Sequence, residues 1–342
     1  MLGMHDNNNP WLDKEFEAKV FEYMHKRIPD KVFDSHSHTS KTEIPGIGPD
    51  LVFSKVVEAL EGVVGKGKVK GGLTMGNPKD FATQEDYDDE RLFSCENGKN
   101  DGFVTGLLVK PEETPEQIEK WLYDFPRIAA LKVCWNYGKT NSFESDILDY
   151  APEWMWEVAN KHGLVFVIHL SHDSMSLNHP KNIEQIRYLS KKYPQTKIQL
   201  AHCAMGHNPY MFRKGIDHIT DLDNVYLDLS GIGESMTYAF AFKYFDRKKL
   251  FYGSDSYGFA HRVGRCMSLG KGFLGLHTGD SLPFCGHFTE DSSPYRFGGL
   301  STMTEGLLAM FAAGDMVELK DSEWEDIFYN NAADVYYPII RK

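Results

Sequence analysis

Residues 161–202 read KHGLVFVIHLSHDSMSLNHPKNIEQIRYLSKKYPQTKIQLAH. Two short apolar runs, 164–169 and 197–202, flank a segment with a helical pattern. Gly163 predicts that a helix stops just before the first run, because glycine adopts the left-handed conformation of a helix end at little cost. Parallel strands need crossover helices and, when buried on both faces, read as continuous apolar runs. The stretch therefore predicts a β–α–β unit.

The same alternation continues along the chain. Helix starts are indicated by Thr114-Pro-Glu-Gln117, which has the order of a capping box with a first-turn proline, and by similar patterns at Asn182 and Ser322. Eight strands with intervening helices predict a (β/α)8 TIM barrel, with an open doubly wound sheet as the alternative. The candidate strands are residues 32–34, 72–75, 103–109, 129–134, 164–169, 197–202, 225–229 and 250–253.

The chain reads as a single domain over residues 1–342, because no internal repeat or Pro/Ser-rich linker interrupts it. Residues 1–29 are expected to form a short leader with a helix around 13–26. Two stretches exceed what a minimal barrel needs: the acidic residues 79–101 and the Gly-, Phe- and His-rich residues 256–300. Loops that follow barrel strands lie on the catalytic face, so 256–300 is a candidate lid or pocket wall. The alternative is an insertion that only packs on the surface.

Composition limits the function classes. The 342 residues carry 37 Lys and Arg against 49 Asp and Glu, a net charge of −12, which disfavours nucleic-acid and anionic-membrane partners. We expect a small-molecule substrate and no membrane anchor, because the apolar runs are too short to span a bilayer and no signal peptide is visible. Five scattered cysteines without a Cys-x-x-Cys pair favour reduced thiols and a cytoplasmic enzyme. A homo-oligomer is expected only from its general frequency.

Five polar side chains stand at the ends of apolar runs. His36 and His38 alternate on the first strand and point to the same side, so they can face one ion. His169, His202 and Asp255 end the fifth, sixth and eighth runs, where a barrel places its active site. Neutral imidazoles with a carboxylate are the donors of a catalytic zinc or similar divalent site. The alternative, an isolated polar residue at each strand end, accounts poorly for four strand ends together.

In this order, these residues resemble the amidohydrolase superfamily of metal-dependent (β/α)8 enzymes. The pattern is most similar to the family that includes the aminocarboxymuconate-semialdehyde and resorcylate-type decarboxylases. The resemblance extends over residues 31–337. Three further segments carry it: Ala130-Leu-Lys-Val133, Phe251-Tyr-Gly-Ser-Asp255 and Ile327-Phe-Tyr-Asn-Asn-Ala332.

The resemblance implies a one-metal site with His36, His38, His169 and Asp255 as ligands. It also implies that His202 is the acid/base or electrophilic histidine and that Asp255 accepts a proton from metal-bound water. A divalent ion can lower the pKa of bound water to about 7, which would make a nucleophile available at neutral pH. Zinc is the expected metal, and manganese, iron or cobalt would suit the same donors.

The chemical state of Lys132 decides between a one-metal and a two-metal form of the site. It lies within the fourth apolar run, where burial would favour its neutral amine. In some members of the superfamily the equivalent lysine is carboxylated and bridges two metals, in which case His169 and His202 would bind the second ion. The alternatives for Lys132 are a substrate contact or an ion pair with an acid such as Asp255.

Substrate contacts are expected from polar side chains on the catalytic-face loops, although a solvated loop side chain is the alternative for each. An arginine would bind a substrate carboxylate through its bidentate fork. Asp34, which alternates away from the histidine side of its strand, either orients the site or makes a surface or helix-capping contact. The candidate substrate residues are His172, His207, Glu234, Arg262 and Arg265.

The sequence thus predicts a metal-dependent hydrolase that attacks a C–N or ester/lactone carbonyl of a small, anionic molecule. The first alternative is a non-oxidative decarboxylase of an aromatic or unsaturated carboxylic acid. The second is a metal-binding or sensing barrel that has lost its chemistry.

Overall fold

Eight parallel strands form the central sheet. A computed structural model of the protein describes residues 12–41, 53–138, 143–172, 176–256, 263–277, 285–286 and 299–341. Every predicted strand is present, and neighbouring strands are hydrogen-bonded in chain order from β1 to β8. The strands are β1 Val32–Thr39, β2 Val69–Gly76, β3 Phe103–Leu108, β4 Ile128–Val133, β5 Val165–Ile168, β6 Lys197–Leu200, β7 Val225–Asp228 and β8 Leu250–Phe251.

The residues that follow β8 join it to β1. The backbone N–H of Ser35 donates to the carbonyl of Tyr252 at 2.9 Å, and that of Asp255 donates to the carbonyl of His36 at 2.9 Å. These bonds bring the last strand against the first, as a barrel requires and an open sheet does not. The predicted TIM barrel is therefore confirmed, and the doubly wound alternative is wrong.

Helices connect successive strands and cover the sheet. Trp156 of one crossover helix stacks on Phe166 of β5 with ring centroids 4.1 Å apart, both rings being fully buried. Such helix-on-strand contacts remove apolar surface from water and hold the barrel together. The helices are α1 Lys14–His25, α2 Phe53–Val64, α3 Gln84–Asn97, α4 Pro115–Asp124, α5 Ile147–Tyr150, α6 Glu153–His162, α7 Pro180–Lys192, α8 Ala201–Met205, α9 Pro209–Ile216, α10 Ser235–Tyr244, α11 Thr302–Met316, α12 Asp321–Glu325 and α13 Asn331–Tyr336.

The predicted helix ends are right in part. Thr114 caps α4 in a complete capping box, and Gly163 ends α6 at φ 62°. The starts predicted at Asn182 and Ser322 are wrong. Helix α7 begins at Pro180, whose fixed φ suits the first helical position, so Asn182 lies inside it and its amide donates to two loop carbonyls. Ser322 likewise lies inside α12.

The acidic stretch 79–101 is not an insertion. It contains α3, the ordinary crossover helix from β2 to β3. Its buried positions include the polar side chains Glu90 and Arg91, so the sequence lacks the apolar stripe that usually reveals a packed helix.

Part of the stretch 256–300 is also ordered into strands. An antiparallel hairpin joins β9, Gly264–Leu269, to β10, Gly272–His277, and β11, Cys285–Gly286, pairs with β10. Residues 257–262, 278–284 and 287–298 lie outside the described residues. Over the part of the chain that the structure describes, no helix has the length and apolarity needed to cross a membrane.

Candidate metal centre

Three predicted donor atoms meet at the seam between β1 and β8. Nε2 of His36 lies 3.2 Å from Nε2 of His38. Oδ1 of Asp255 lies 3.6 Å from the first of these nitrogens and 3.5 Å from the second. A tetrahedral zinc ion with bonds of about 2.0–2.1 Å places its donors about 3.3–3.4 Å apart. The spacing of this three-donor group therefore fits a divalent ion.

The orientation of the two imidazoles fits an ion as well. Nδ1 of His36 donates to Oδ2 of Asp228 at 3.0 Å, and Nδ1 of His38 donates to the carbonyl of Gly76 at 3.2 Å. With its proton on Nδ1, each ring keeps a lone pair on Nε2, which is the atom at the meeting point.

Protonation also favours metal binding. Burial, followed by the charge of Lys132, lowers the pKa of His36 to about 4, so its imidazole is neutral near pH 7. The pKa of Asp255 lies well below its usual range, because the imidazoles of His202, His38 and His36 outweigh the opposing effect of burial. A neutral imidazole and an ionised carboxylate are the protonation states that bind a metal.

His169 lies half-buried beside this group without joining it. Its ring lies 5.2 Å from that of His202, and Nδ1 donates to the carbonyl of Leu170 at 3.2 Å, which leaves Nε2 as the donor atom. Burial, then the neighbouring His202 and Lys132, lowers its pKa. Among the described residues, His169 belongs to no set of three donors that all lie within 4.8 Å of one another. Its role as a fourth ligand stays a prediction.

Lys132 reaches the same place from β4. It is 1% exposed, and its Nζ lies 3.5 Å from Nε2 of His36. Burial lowers the pKa of this lysine, which favours the neutral amine that carboxylation requires. The one-ion site and the alternative with a carboxylated Lys132 and two ions both stay predictions.

His202 is held by a carboxylate that the sequence analysis missed. The backbone N–H of His202 donates to Oδ1 of Asp228 at 3.0 Å, and Nδ1 of its ring lies 2.9 Å from the hydroxyl of Ser230. Oδ2 of the same carboxylate accepts from His36, so Asp228 joins two site histidines. Asp228 ends the apolar run of β7 as the predicted residues end theirs, and that position was the available signal.

Asp228 is fully buried and ionised. Burial alone would raise its pKa, but the His36 imidazole and the further hydrogen bonds hold the pKa well below its usual range. Gln199 donates to Oδ2 at 2.9 Å, and Ser230 donates its hydroxyl to Oδ1 at 2.6 Å. The carboxylate is therefore fixed from both sides.

The backbone is strained where the chemistry is expected. Asp255 has φ 55°, and residues 202–205 have φ between 50° and 58°. This left-handed conformation costs about 1–2 kcal/mol for each L-residue. Such strain persists only where the surroundings impose it, and it concentrates at functional sites.

Asp34 connects the two strand ends that carry the donors. Its carboxylate accepts from the backbone N–H and hydroxyl of Ser254 at 2.8 and 2.6 Å, and from the backbone N–H of His36 at 3.2 Å. Burial raises its pKa to about 7. Asp34 is 1% exposed, so the predicted surface or helix-capping contact is wrong.

A cavity of about 280 Å³ opens beside these residues. His169, His202 and Asp255 line it together with an apolar set: Trp135, Phe143, Met205 and Phe273. The rings of Trp135 and Phe143 lie 3.8 Å apart. Among the described residues that line the cavity, none is Lys or Arg. The described lining therefore suits a small molecule with a flat apolar part.

The predicted substrate residues are placed differently from one another. His207 lines the cavity with its ring 4.3 Å from Phe273. Nε2 of His172 lies 3.3 Å from Asp146. The other two described candidates make local contacts: Glu234 accepts from the backbone N–H of Ser268 at 2.6 Å, and Arg265 donates to the carbonyl of Gly233. Arg262 lies outside the described residues. Substrate contact by any of the five stays a prediction.

Comparison with known proteins identifies the family. Residues 33–337 match the sequence profile of the amidohydrolase family. The chain belongs to this family. The resemblance inferred from the residues is thus confirmed, and it supports a metal-dependent enzyme of this superfamily. No curated protein matches the sequence.

Solved structures with the same fold are distant in sequence from this chain. A 4-oxalomesaconate hydratase from Rhodopseudomonas palustris is 15% identical, with a TM-score of 0.56 over 90% of this chain and 96% of that one. An amidohydrolase from Burkholderia multivorans with bound zinc is 10% identical, with a TM-score of 0.55 over 90% and 99%. A dihydroxybenzoic acid decarboxylase from Polaromonas sp. JS666 with bound manganese is 15% identical, with a TM-score of 0.54 over 91% and 98%. These likenesses show the fold alone.

Proposed function

We propose that this protein is a metal-dependent hydrolase that attacks a C–N or ester/lactone carbonyl of a small molecule. The observation that carries the proposal is the three-donor group of His36, His38 and Asp255, with His202 on the wall of the adjoining cavity. The donor spacing, the Nδ1-protonated imidazoles and the ionised carboxylate all support it.

The chain's own residues would divide the work. His36, His38 and Asp255 would hold the ion, with His169 as the fourth ligand and zinc as the expected metal. A divalent ion bound there would act as a Lewis acid and lower the pKa of a water molecule. The carboxylate of Asp255, which is ionised and faces the cavity, would take the proton from the attacking water and pass it to the leaving group.

His202 would act on the substrate carbonyl. Its Nδ1 is engaged by Ser230 and its backbone by Asp228, so the ring is held in place and Nε2 remains for the substrate oxygen. Because Ser230 donates its hydroxyl to Asp228, Nδ1 of His202 donates to Ser230. The protonated ring would then donate from Nε2 and stabilise the charge that develops on the substrate oxygen. The aromatic rings of Trp135, Phe143 and Phe273 would exclude water around the apolar part of the substrate.

The first test is metal content followed by turnover. Elemental analysis of the purified chain, expressed with zinc or manganese, is expected to give about one ion per chain, and about two would indicate a carboxylated Lys132. The metal-loaded protein is then assayed on ester, lactone and amide libraries beside His202→Asn and Asp255→Asn. We expect both variants to lose turnover. No metal after reconstitution, or variants as active as the wild type, would refute the proposal.

A second candidate is a non-oxidative decarboxylase of an aromatic acid. The aromatic side chains around the cavity favour it, since stacked rings suit a planar substrate. It predicts CO₂ release from hydroxybenzoates and dienoic acids together with inactivity on the hydrolase libraries. Metal binding without either activity would instead indicate a binding or sensing protein.

A further inference from the structure

Glu90 is a buried carboxylate that the proposed chemistry does not use. It lies on α3, is 1% exposed, and has Lys79 as a cationic neighbour, with Nζ 3.7 Å away. Burying a carboxylate costs several kcal/mol unless its oxygens are hydrogen-bonded. The hydrogen bonds that Glu90 makes therefore indicate what holds it in this position.

Its two oxygens bind two different strand ends. Oε1 accepts from the backbone N–H of Asn77, the residue after β2, at 3.0 Å. Oε2 accepts from the backbone N–H of Lys41 at 3.2 Å and from the hydroxyl of Ser40 at 3.3 Å, both just after β1. One side chain thus fixes the exits of β1 and β2 relative to each other.

The peptide group between Gly76 and Asn77 links Glu90 to His38. The N–H of this group donates to Glu90, and its carbonyl accepts from Nδ1 of His38 at 3.2 Å. Hydrogen bonds at the two ends of one amide polarise it in the same direction and strengthen each other. The charge of Glu90 therefore reaches His38 through a single peptide group.

The second imidazole of the three-donor group, that of His36, is bound to a carboxylate without an intervening peptide. Nδ1 of His36 donates straight to the carboxylate of Asp228 at 3.0 Å. A carboxylate that accepts from Nδ1 of a metal-binding histidine fixes the ring and makes Nε2 a stronger metal donor. Each imidazole of the three-donor group is thus connected to a buried carboxylate, His36 directly to Asp228 and His38 through a peptide group to Glu90.

We propose that Glu90 is a positioning residue for His38, which it orients and makes a stronger donor through the Gly76–Asn77 peptide. This inference rests on the metal site of the proposed function and deepens it. It assigns to α3, a helix without a candidate ligand, a share of the metal affinity.

The chain offers a matched control in Glu113. This residue is partly buried, with 8% of its side chain exposed, and it accepts from the backbone N–H of Lys110 just beyond β3 at 2.8 Å. It also pairs with Arg91 at 2.5 Å. Glu113 thus holds the end of a strand that carries none of the candidate ligands.

The experiment compares Glu90→Gln, Glu113→Gln and the wild type as full-length chains. The zinc Kd is measured by competition with a chelator, and the visible spectrum of the cobalt-loaded protein reports ligand geometry. We expect Glu90→Gln to raise the zinc Kd by about 10–100-fold and to shift the cobalt bands. Glu113→Gln should leave both unchanged, even though breaking its buried ion pair lowers the stability of the fold.

A wild-type zinc Kd and cobalt spectrum in Glu90→Gln would overturn the inference while leaving the proposed function intact. An equal weakening in Glu113→Gln would also overturn it, because general loosening would then be the cause. If Glu90→Gln does not fold, Glu90→Asp keeps the charge and withdraws the carboxylate by one methylene from the N–H of Asn77. A weakened zinc Kd there supports the inference, and an unchanged one overturns it. A wild-type chain that binds no zinc would refute the inference and the proposed function together.

Discussion

At the scale of single residues, Gly231 keeps the space between His202 and Asp255 open. It has φ +68°, and a Cβ on it would lie 3.0 Å from Nδ1 of His202 and 3.7 Å from Oδ2 of Asp255. We expect Gly231→Ala to lower kcat by up to about 100-fold, because misplacing a reacting group by about 1 Å can cost that much. Steady-state kinetics on a substrate identified from the ester, lactone and amide libraries measures this.

Gly163→Ala is the control for that substitution. Gly163 has a similar φ of +62°, but a Cβ there would have no atom within 4 Å. Both variants should lose about 1–2 kcal/mol of unfolding free energy from the left-handed backbone. Only Gly231→Ala should lose activity. If its kcat equals that of Gly163→Ala, crowding of His202 is not what the glycine prevents.

Asp228 offers a second test at this scale. The carboxylate now accepts hydrogen bonds from several donors, including Nδ1 of His36 at 3.0 Å. An asparagine there would place an NH2 group, itself a donor, opposite some of them. We expect Asp228→Asn to raise the zinc Kd by about 10–100-fold, measured by chelator competition. Asp221→Asn, which changes a largely exposed carboxylate paired with Arg187, should leave the Kd unchanged. Equal affinities in the two variants would contradict the role assigned to Asp228.

At the scale of elements, the β9–β10 hairpin brings one aromatic wall to the cavity. Phe273 lines the cavity from β10, whereas Leu269 at the end of β9 is 66% exposed. We expect Phe273→Ala to raise KM several-fold for a substrate with a flat apolar part, because the ring no longer covers it. Leu269→Ala alters the same hairpin and should leave KM unchanged. An equal change of KM in both variants would contradict a specific contact between the Phe273 ring and the substrate, because any disturbance of the hairpin would then have the same effect.

The elements also explain how far the sequence could predict the site. The side that His36 and His38 share follows from the two-residue period of a strand, and the strand ends at His169 and Asp255 follow from the barrel rule. Both are local patterns. The contacts of Asp228 and Glu90 depend on the register between different strands and helices, which no local pattern records. Helix α3 was misread for a related reason, since it buries polar side chains whose partners lie far away in the sequence.

At the scale of the whole molecule, the candidate ion would connect the first barrel strand to the segment after the last. Zinc bound only by the folded chain should add about 2.7 kcal/mol to the free energy of unfolding at about 100 times its Kd. We therefore expect a chelator to lower the Tm and added zinc to restore it, as followed by thermal unfolding. A His36→Asn/His38→Asn double variant should show no response to zinc. A wild-type Tm that is indifferent to both treatments would place any bound zinc away from this seam.

The seam between β1 and β8 also sets the order of events during synthesis. His36 and Asp255 lie about 220 residues apart in the chain. The three-donor group therefore combines residues that are synthesised early with one that is synthesised late. A nascent chain that ends before Asp255 has the two imidazoles and lacks the carboxylate. If the proposed site holds zinc, stable loading would therefore have to wait until the last strand has left the ribosome and docked. Uptake of the metal would mark the moment at which a newly made barrel is complete.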